Sequence, residues 1–173
     1  MKKMEYLHPE VDPESFKSVM STWPTGVAII TSLRDDDGSG PLGILCNSLT
    51  SISLEKRLLL WTVDHASGSY PYWIKAEKWV VHFLADDQQE LVKRFAQKGV
   101  PDKFAGLEFQ RREDGIPLLD GVVARLHCTT TQRVATHDHT IILGEVDAMQ
   151  RCAKSPMVYA LREFLPLKSS EKS

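Results

Sequence analysis

Val122–Val134 (VVARLHCTTTQRV) and His139–Ala148 (HTIILGEVDA) are the stretches on which the fold turns. In the first, Val122, Ala124, Leu126 and Cys128 recur at every second position, with Arg125 and His127 on the opposite side. A period of two with one apolar and one polar side predicts a half-exposed strand of an antiparallel sheet. Shorter apolar runs at Val27–Thr31, Leu42–Cys46, Leu58–Val63 and Trp79–Leu84 also read as strands. Two more strand patterns lie near Leu107–Gln110 and Met157–Phe164, and Asp114-Gly115 and Asp120-Gly121 are turn signals. Three helices are expected. Asp12 and Pro13 open the first, with Phe16, Val19, Met20 and Trp23 as its apolar stripe. Ser69 caps a short second one carrying Tyr70, Trp73 and Ile74, and the third spans Asp86–Lys98, anchored by Leu91 and Phe95 and stopped by Gly99. Strands outnumber helices by about two to one without βαβ alternation, which predicts a mainly β, antiparallel barrel with a few peripheral helices.

The chain has 173 residues, 42% of them hydrophobic and 25% charged, the make-up of an ordinary globular protein. One domain is expected over residues 1–173, with a core of about 14–165 and short tails, Lys168–Ser173 among them. A net charge of −2 argues against nucleic acid or a membrane surface as partner, and no apolar run approaches the ~18 residues of a membrane span. MKKMEYLHPEVDPES carries two lysines with no apolar stretch behind them, so it does not read as a secretory signal, and a cytoplasmic location is expected. Cys46, Cys128 and Cys152 are odd in number and widely spaced, which argues against a disulfide framework or a structural zinc site.

Four motifs bear on chemistry. Gly38-Ser39-Gly40-Pro41-Leu42-Gly43 matches G-x-G-x-x-G, but a strand rather than a helix follows it, and Asp35-Asp36-Asp37 would repel phosphate. It reads as an acidic hairpin turn. His137-Asp138-His139 lacks the further ligands a metal needs and reads as a bend before a strand or as a substrate contact; no metal site is expected. Asn47–Ser53 threads an amide and the hydroxyls of Ser48, Thr50, Ser51 and Ser53 between two apolar runs. Hydroxyls beside a core need partners, which either a backbone edge or a polar-edged heterocycle with a phosphate tail would supply. Tyr70, Tyr72, Trp73 and Trp79 read chiefly as core aromatics.

The succession FKSVMSTWPTGVAIITS, GPLGILCNSLTSISLE, WVVHFLADDQQELVKRFAQKGVPDKFAGLEF, GIPLLDGVVARLHCT and HDHTIILGEV resembles the flavin reductase family, the small reductase components of two-component flavin-dependent monooxygenases. The likeness runs from about Phe16 to Phe164. It implies an FMN-binding split β-barrel, a homodimer, and flavin near the subunit interface. It assigns Asn47, Ser48, Leu49, Thr50, Ser51, Ser53 and Leu54 to the isoalloxazine and ribityl chain, and Ser67 and Ser69 to the phosphate end. Asp102-Lys103-Phe104 would close over the cofactor, and Asp138-His139 would face the nicotinamide, with His139 the catalytic candidate. Leu161, Arg162, Glu163 and Phe164, read as part of the last strand, would flank the pyridine-nucleotide site. Asp138, the neighbour of His139 in sequence, is expected to point to the other face and leave that ring alone.

The chain departs from the family pattern in three places. Lys56-Arg57 stands where a proline pair is usual, His137 replaces the glycine before D-H, and Leu161-Arg162-Glu163-Phe164 replaces R-G-x-Y. The function implied is an NAD(P)H-dependent flavin reductase that takes NADH or NADPH, reduces FMN or FAD, and supplies reduced flavin to a partner oxygenase. Two other readings remain open at this point. One is a reductase of the same fold acting on another acceptor, such as a corrinoid or a metal complex; the other is a flavin-binding protein without turnover.

Overall fold

The two diagnostic stretches form the longest strands among the described residues and lie side by side. The computed structural model describes residues 11–34, 40–165 and 167. In chain order the elements are α1 (Pro13–Met20), β1 (Thr25–Gly26), β2 (Ala28–Leu33), β3 (Pro41–Cys46), β4 (Thr50–Ser53), β5 (Leu58–Asp64), α2 (Tyr70–Trp73), β6 (Lys78–Phe83), α3 (Gln89–Ala96), β7 (Gln110–Arg111), β8 (Pro117–Leu118), β9 (Ala124–Ala135), β10 (His139–Arg151), β11 (Val158–Ala160) and β12 (Glu163–Leu165). Seven strands make one antiparallel sheet in the order β3-β2-β6-β9-β10-β5-β4, and β1-β11-β12 and β7-β8 form two small sheets. The mainly β, antiparallel architecture expected from sequence therefore holds.

The sheet is curled. Five strand spacings separate β3 from β5, about 24 Å in a flat sheet. Yet Leu42 and Cys46 of β3 share one buried cluster with Leu59, Trp61 and Val63 of β5. Trp61 anchors that cluster, meeting Trp73 and Trp79 edge to face at 5.1 and 5.8 Å. The ring is nonetheless not closed by main-chain bonds: no ladder joins β3 to β4 among the described residues. The chain leaves β3 at Cys46 and pairs with β5 again only from Thr50. In between, the Ser48 hydroxyl accepts the Thr62 N–H at 3.0 Å, so one side chain stands in for ladder bonds at the seam.

A second buried cluster lies on the outer face, where Val92 and Phe95 of α3 meet Ile29, Leu84, Phe104, Leu119 and Met157. Gly43 makes this approach possible, since a Cβ there would stand 2.4 Å from the Phe95 ring. The helix α3 starts three residues later than Asp86, because the Asp86 N–H donates to the Ser155 carbonyl and Ala85 bridges to Pro156. Its two buried residues are Val92 and Phe95, with Leu91 only half-buried. Asp12 caps α1 as expected, accepting from the amides of Glu14 and Ser15. The stripe of that helix, however, is exposed, with Phe16 at 58% and Trp23 at 70%, and α1 buries no residue.

The last expected strand is instead a hairpin, β11–β12. Leu161 and Arg162 form its two-residue turn, with φ of +53° and +65°. Two successive positive φ values match the twist of a tight hairpin, but a side chain in that region costs about 1–2 kcal/mol per residue. The Leu161 N–H is tied to the Ser21 carbonyl at the end of α1 by a 2.6 Å bond. Of the glycine-rich turn after β2, residues 35–39 lie outside the described residues, but Leu33 pairs with Pro41, so β2 and β3 are antiparallel neighbours. No helix of the described residues is long and apolar enough to cross a membrane.

Candidate active site

The strand β5 brings three of the sequence-predicted segments together. On one side, Thr50 pairs with Leu60 and Ser48 bonds Thr62. On the other, His139 opens β10 opposite Asp64. At the end of β5, Asp64 folds the chain into a turn, its carboxylate accepting the Ala66 N–H at 2.7 Å and its carbonyl the Ser67 N–H at 3.0 Å. That turn carries Ser67 and Ser69, whose hydroxyls are 3.0 Å apart. The Ser69 side chain does not cap α2; it accepts the Trp73 indole N–H at 3.1 Å.

The seven predicted site residues within Asn47–Leu54 divide by role. Ser48 belongs to the seam, with the buried Cys46 thiol 3.4 Å from its hydroxyl. Leu49 packs against the tryptophan core, and Ser53 accepts the Lys56 N–H at 3.1 Å. Asn47, Thr50 and Ser51 are exposed, and among the described residues their side chains make no hydrogen bond. Leu54 is 88% exposed at the hairpin tip. The polar atoms of Asn47, Thr50 and Ser51 are thus available to a ligand, Thr50 and Ser51 on opposite faces of β4.

His139 is better oriented than its sequence predicts. Its Nδ1–H donates to the Asp138 carboxylate at 2.9 Å, so the expectation that Asp138 leaves this ring alone is corrected. The physical reason is that Asp138 lies in the bend before β10, where strand alternation does not yet apply. That hydrogen bond, above all, holds the Asp138 carboxyl below the usual range. With Nδ1 engaged as donor, Nε2 is the nitrogen left available to a ligand.

Asp102-Lys103-Phe104 is built into the wall beside α3. Asp102 accepts the Phe104 N–H at 2.8 Å, Lys103 donates to the Phe95 carbonyl at 2.7 Å, and Phe104 is buried against Phe95. Burial pushes the Lys103 ammonium pKa down. Arg34, which sequence reasoning missed, links this wall to α2: it donates to the Pro101 carbonyl and lies 5.6 Å from the centre of the Tyr72 ring. Leu161, Arg162, Glu163 and Phe164 are not part of the β5 assembly. Their hairpin follows the far end of β10, and His139 and Arg151 bound that strand, roughly 40 Å of extended chain at ~3.3 Å per residue. Groups of three or more potential metal ligands are absent among the described residues.

This architecture has known counterparts. The flavin reductase-like domain model matches residues 20–168. A flavin reductase of Pseudomonas putida is 36% identical over 146 residues, 84% of either chain. The reductase subunit HsaB of a flavin-dependent monooxygenase from Mycobacterium tuberculosis is 32% identical over 140 residues, 81% of this chain and 73% of that one. Among solved structures, the Streptomyces globisporus NADH:FAD oxidoreductase SgcE6, in complex with NAD and FAD fragments, superposes with a TM-score of 0.84. It is 30% identical, over 95% of this chain and 99% of that one. The chain belongs to the flavin reductase-like family. It is accordingly an NAD(P)H-dependent oxidoreductase acting on flavin.

Proposed function

We propose that FMN or FAD lies along Asn47–Leu54 with its phosphate end at Ser67 and Ser69, and that His139 holds the nicotinamide of NADH or NADPH against it. The observation that carries this reading is the convergence of Ser48–Ser51, the Ser67–Ser69 turn and His139 on one strand, β5, and the turn that follows it. Bound together, the two cofactors supply the chemistry, with the flavin N5 as acceptor of the hydride from nicotinamide C4. The protein orients. Asn47, Thr50 and Ser51 offer hydrogen bonds to the ring edge, and His139, fixed by Asp138, offers Nε2 to the carboxamide or ribose of the nucleotide.

The experiment is a comparison of two variants. Thr50→Ala removes a hydrogen bond worth about 0.5–1.5 kcal/mol and should weaken flavin binding several-fold with little change in KM for nicotinamide. His139→Ala should lower kcat/KM for the nucleotide by about fivefold or more and leave flavin affinity nearly unchanged. If His139→Ala instead abolishes flavin binding, or if both variants behave as wild type, this division of the cleft is wrong.

Two further expectations accompany it. The enzyme works as a homodimer, supported by the uncovered apolar stripe of α1. Light scattering of the flavin-loaded protein at micromolar concentration should give twice the 19.5 kDa chain mass; the monomer mass would contradict the dimer. Reduced flavin passes to a partner oxygenase, as the role of the M. tuberculosis relative suggests.

A further inference from the structure

We propose that His65, Thr140 and Tyr70 form a positioning cluster that fixes His139 relative to the Ser67–Ser69 turn, and through it the approach of nicotinamide to flavin. The proposal rests on the reading that His139 and that turn line one cleft. Thr140 is the residue after His139, is 3% exposed, and directs its hydroxyl at two partners. The His65 Nε2 stands 3.1 Å from that oxygen, and the Tyr70 hydroxyl 3.0 Å. The two rings also meet each other, with centroids 4.8 Å apart. The backbone of His65 takes part as well, its N–H donating to the Asp138 carbonyl at 2.8 Å. Tyr70 in turn opens α2, and its N–H donates to the Ser67 carbonyl at 2.9 Å.

Every member of the cluster thus touches both sides. His65 reaches Asp138 and Thr140 while beginning the serine turn; Tyr70 ends that turn while reaching Thr140. A hydroxyl can donate once and accept as well, so Thr140 can satisfy both partners at once. With Thr140 buried, His65 and Tyr70 half-buried and the Thr140 hydroxyl satisfied on both sides, such a network stiffens what it joins. Here it joins the expected seat of the flavin phosphate to the expected nicotinamide contact. None of the three residues is placed against a cofactor, so they act through His139 and the turn.

The test is Thr140→Val, which keeps the shape and removes the hydroxyl, beside Thr140→Ser, which restores it. Flavin reduction is followed anaerobically at saturating NADH, flavin affinity by titration, and backbone amide exchange of residues 65–70 in the flavin-free chain. Thr140→Val should slow flavin reduction by about tenfold or more, because small misplacements of reacting groups are costly. Flavin affinity should stay within about threefold, and exchange at 65–70 should quicken by about tenfold as the local opening energy falls. Thr140→Ser should return both to near wild type. Tyr70→Phe, which deletes one bond only, should give a smaller effect of the same pattern and decides the matter if Thr140→Val does not fold. Wild-type reduction and exchange in the variants, beside a slowed His139→Ala, would overturn the cluster while leaving the site reading intact. Wild-type reduction in His139→Ala too would overturn both.

Discussion

Replacing Gly144 by alanine is expected to destabilise the protein by about 2–3 kcal/mol, the upper range for overpacking a core. A Cβ at this position would stand 2.4 Å from the Trp79 ring and 3.0 Å from the Thr129 carbonyl oxygen. Neither neighbour can yield. Trp79 is fully buried, donates its indole N–H to Thr130 at 2.9 Å and packs edge to face on Trp61. Thr129 is held in the β9–β10 ladder opposite Glu145, beside the register shift at Leu143/Gly144. Thermal unfolding should therefore drop by roughly 5–10 °C, at about 2–4 °C per kcal/mol for a chain of this size. Trp79→Phe in the same background should recover part of the loss and reveal a coupling of about 1 kcal/mol. A Gly144→Ala variant melting at the wild-type temperature would show that the tryptophan core has slack that the packing denies.

The second large effect belongs to His82, fully buried on β6. Its Nδ1–H donates to the Ile29 carbonyl at 3.1 Å, and its Nε2 has no partner among the described residues. Burial, first, and then the nearby Arg125 and His127 lower its pKa from 6.5 to about 3. The folded value lies below the unfolded one, so the unfolded state binds the proton more readily. The stabilisation is thus complete above about pH 6.5 and is lost as pH falls toward 3, amounting to as much as about 5 kcal/mol. His82→Asn, which keeps a donor near Ile29, should flatten the fall in urea midpoint between pH 6.5 and 4. Parallel pH curves for the two proteins would remove His82 as the cause of acid sensitivity.

What could be read in the sequence was what is local and periodic. The alternation from Val122 to Cys128 marks β9, Asp12-Pro13 marks the start of α1, and the polar threading of Asn47–Ser53 marks the edge strand β4. What escaped depends on distant partners. Leu161-Arg162 carries no turn chemistry, so the β11–β12 hairpin reads as one strand until Ser21 is seen to hold its turn. Asp86 and Asp87 look like the first turn of a helix, but Ser155 and Pro156 claim this stretch of backbone. Ser48 looks like a ligand contact and is engaged at the seam. Within the site, the family resemblance supplied the segments, and the register of β5 supplied their meeting point. His65, Thr140 and Arg34 were silent in sequence, because their partners lie 75, 70 and 67 positions away in the chain or more than one element distant.

A nicotinamide and a flavin should meet on this chain and react at a pace that its own residues set. Anaerobic mixing of NADH or NADPH with the flavin-loaded protein tests it most directly, with the visible absorption band of oxidised flavin as the signal. The band should bleach in a single turnover, far faster than for free flavin, at a rate that saturates with nicotinamide and falls in His139→Ala. Bleaching no faster than with flavin alone, in a protein that demonstrably binds flavin, would contradict it.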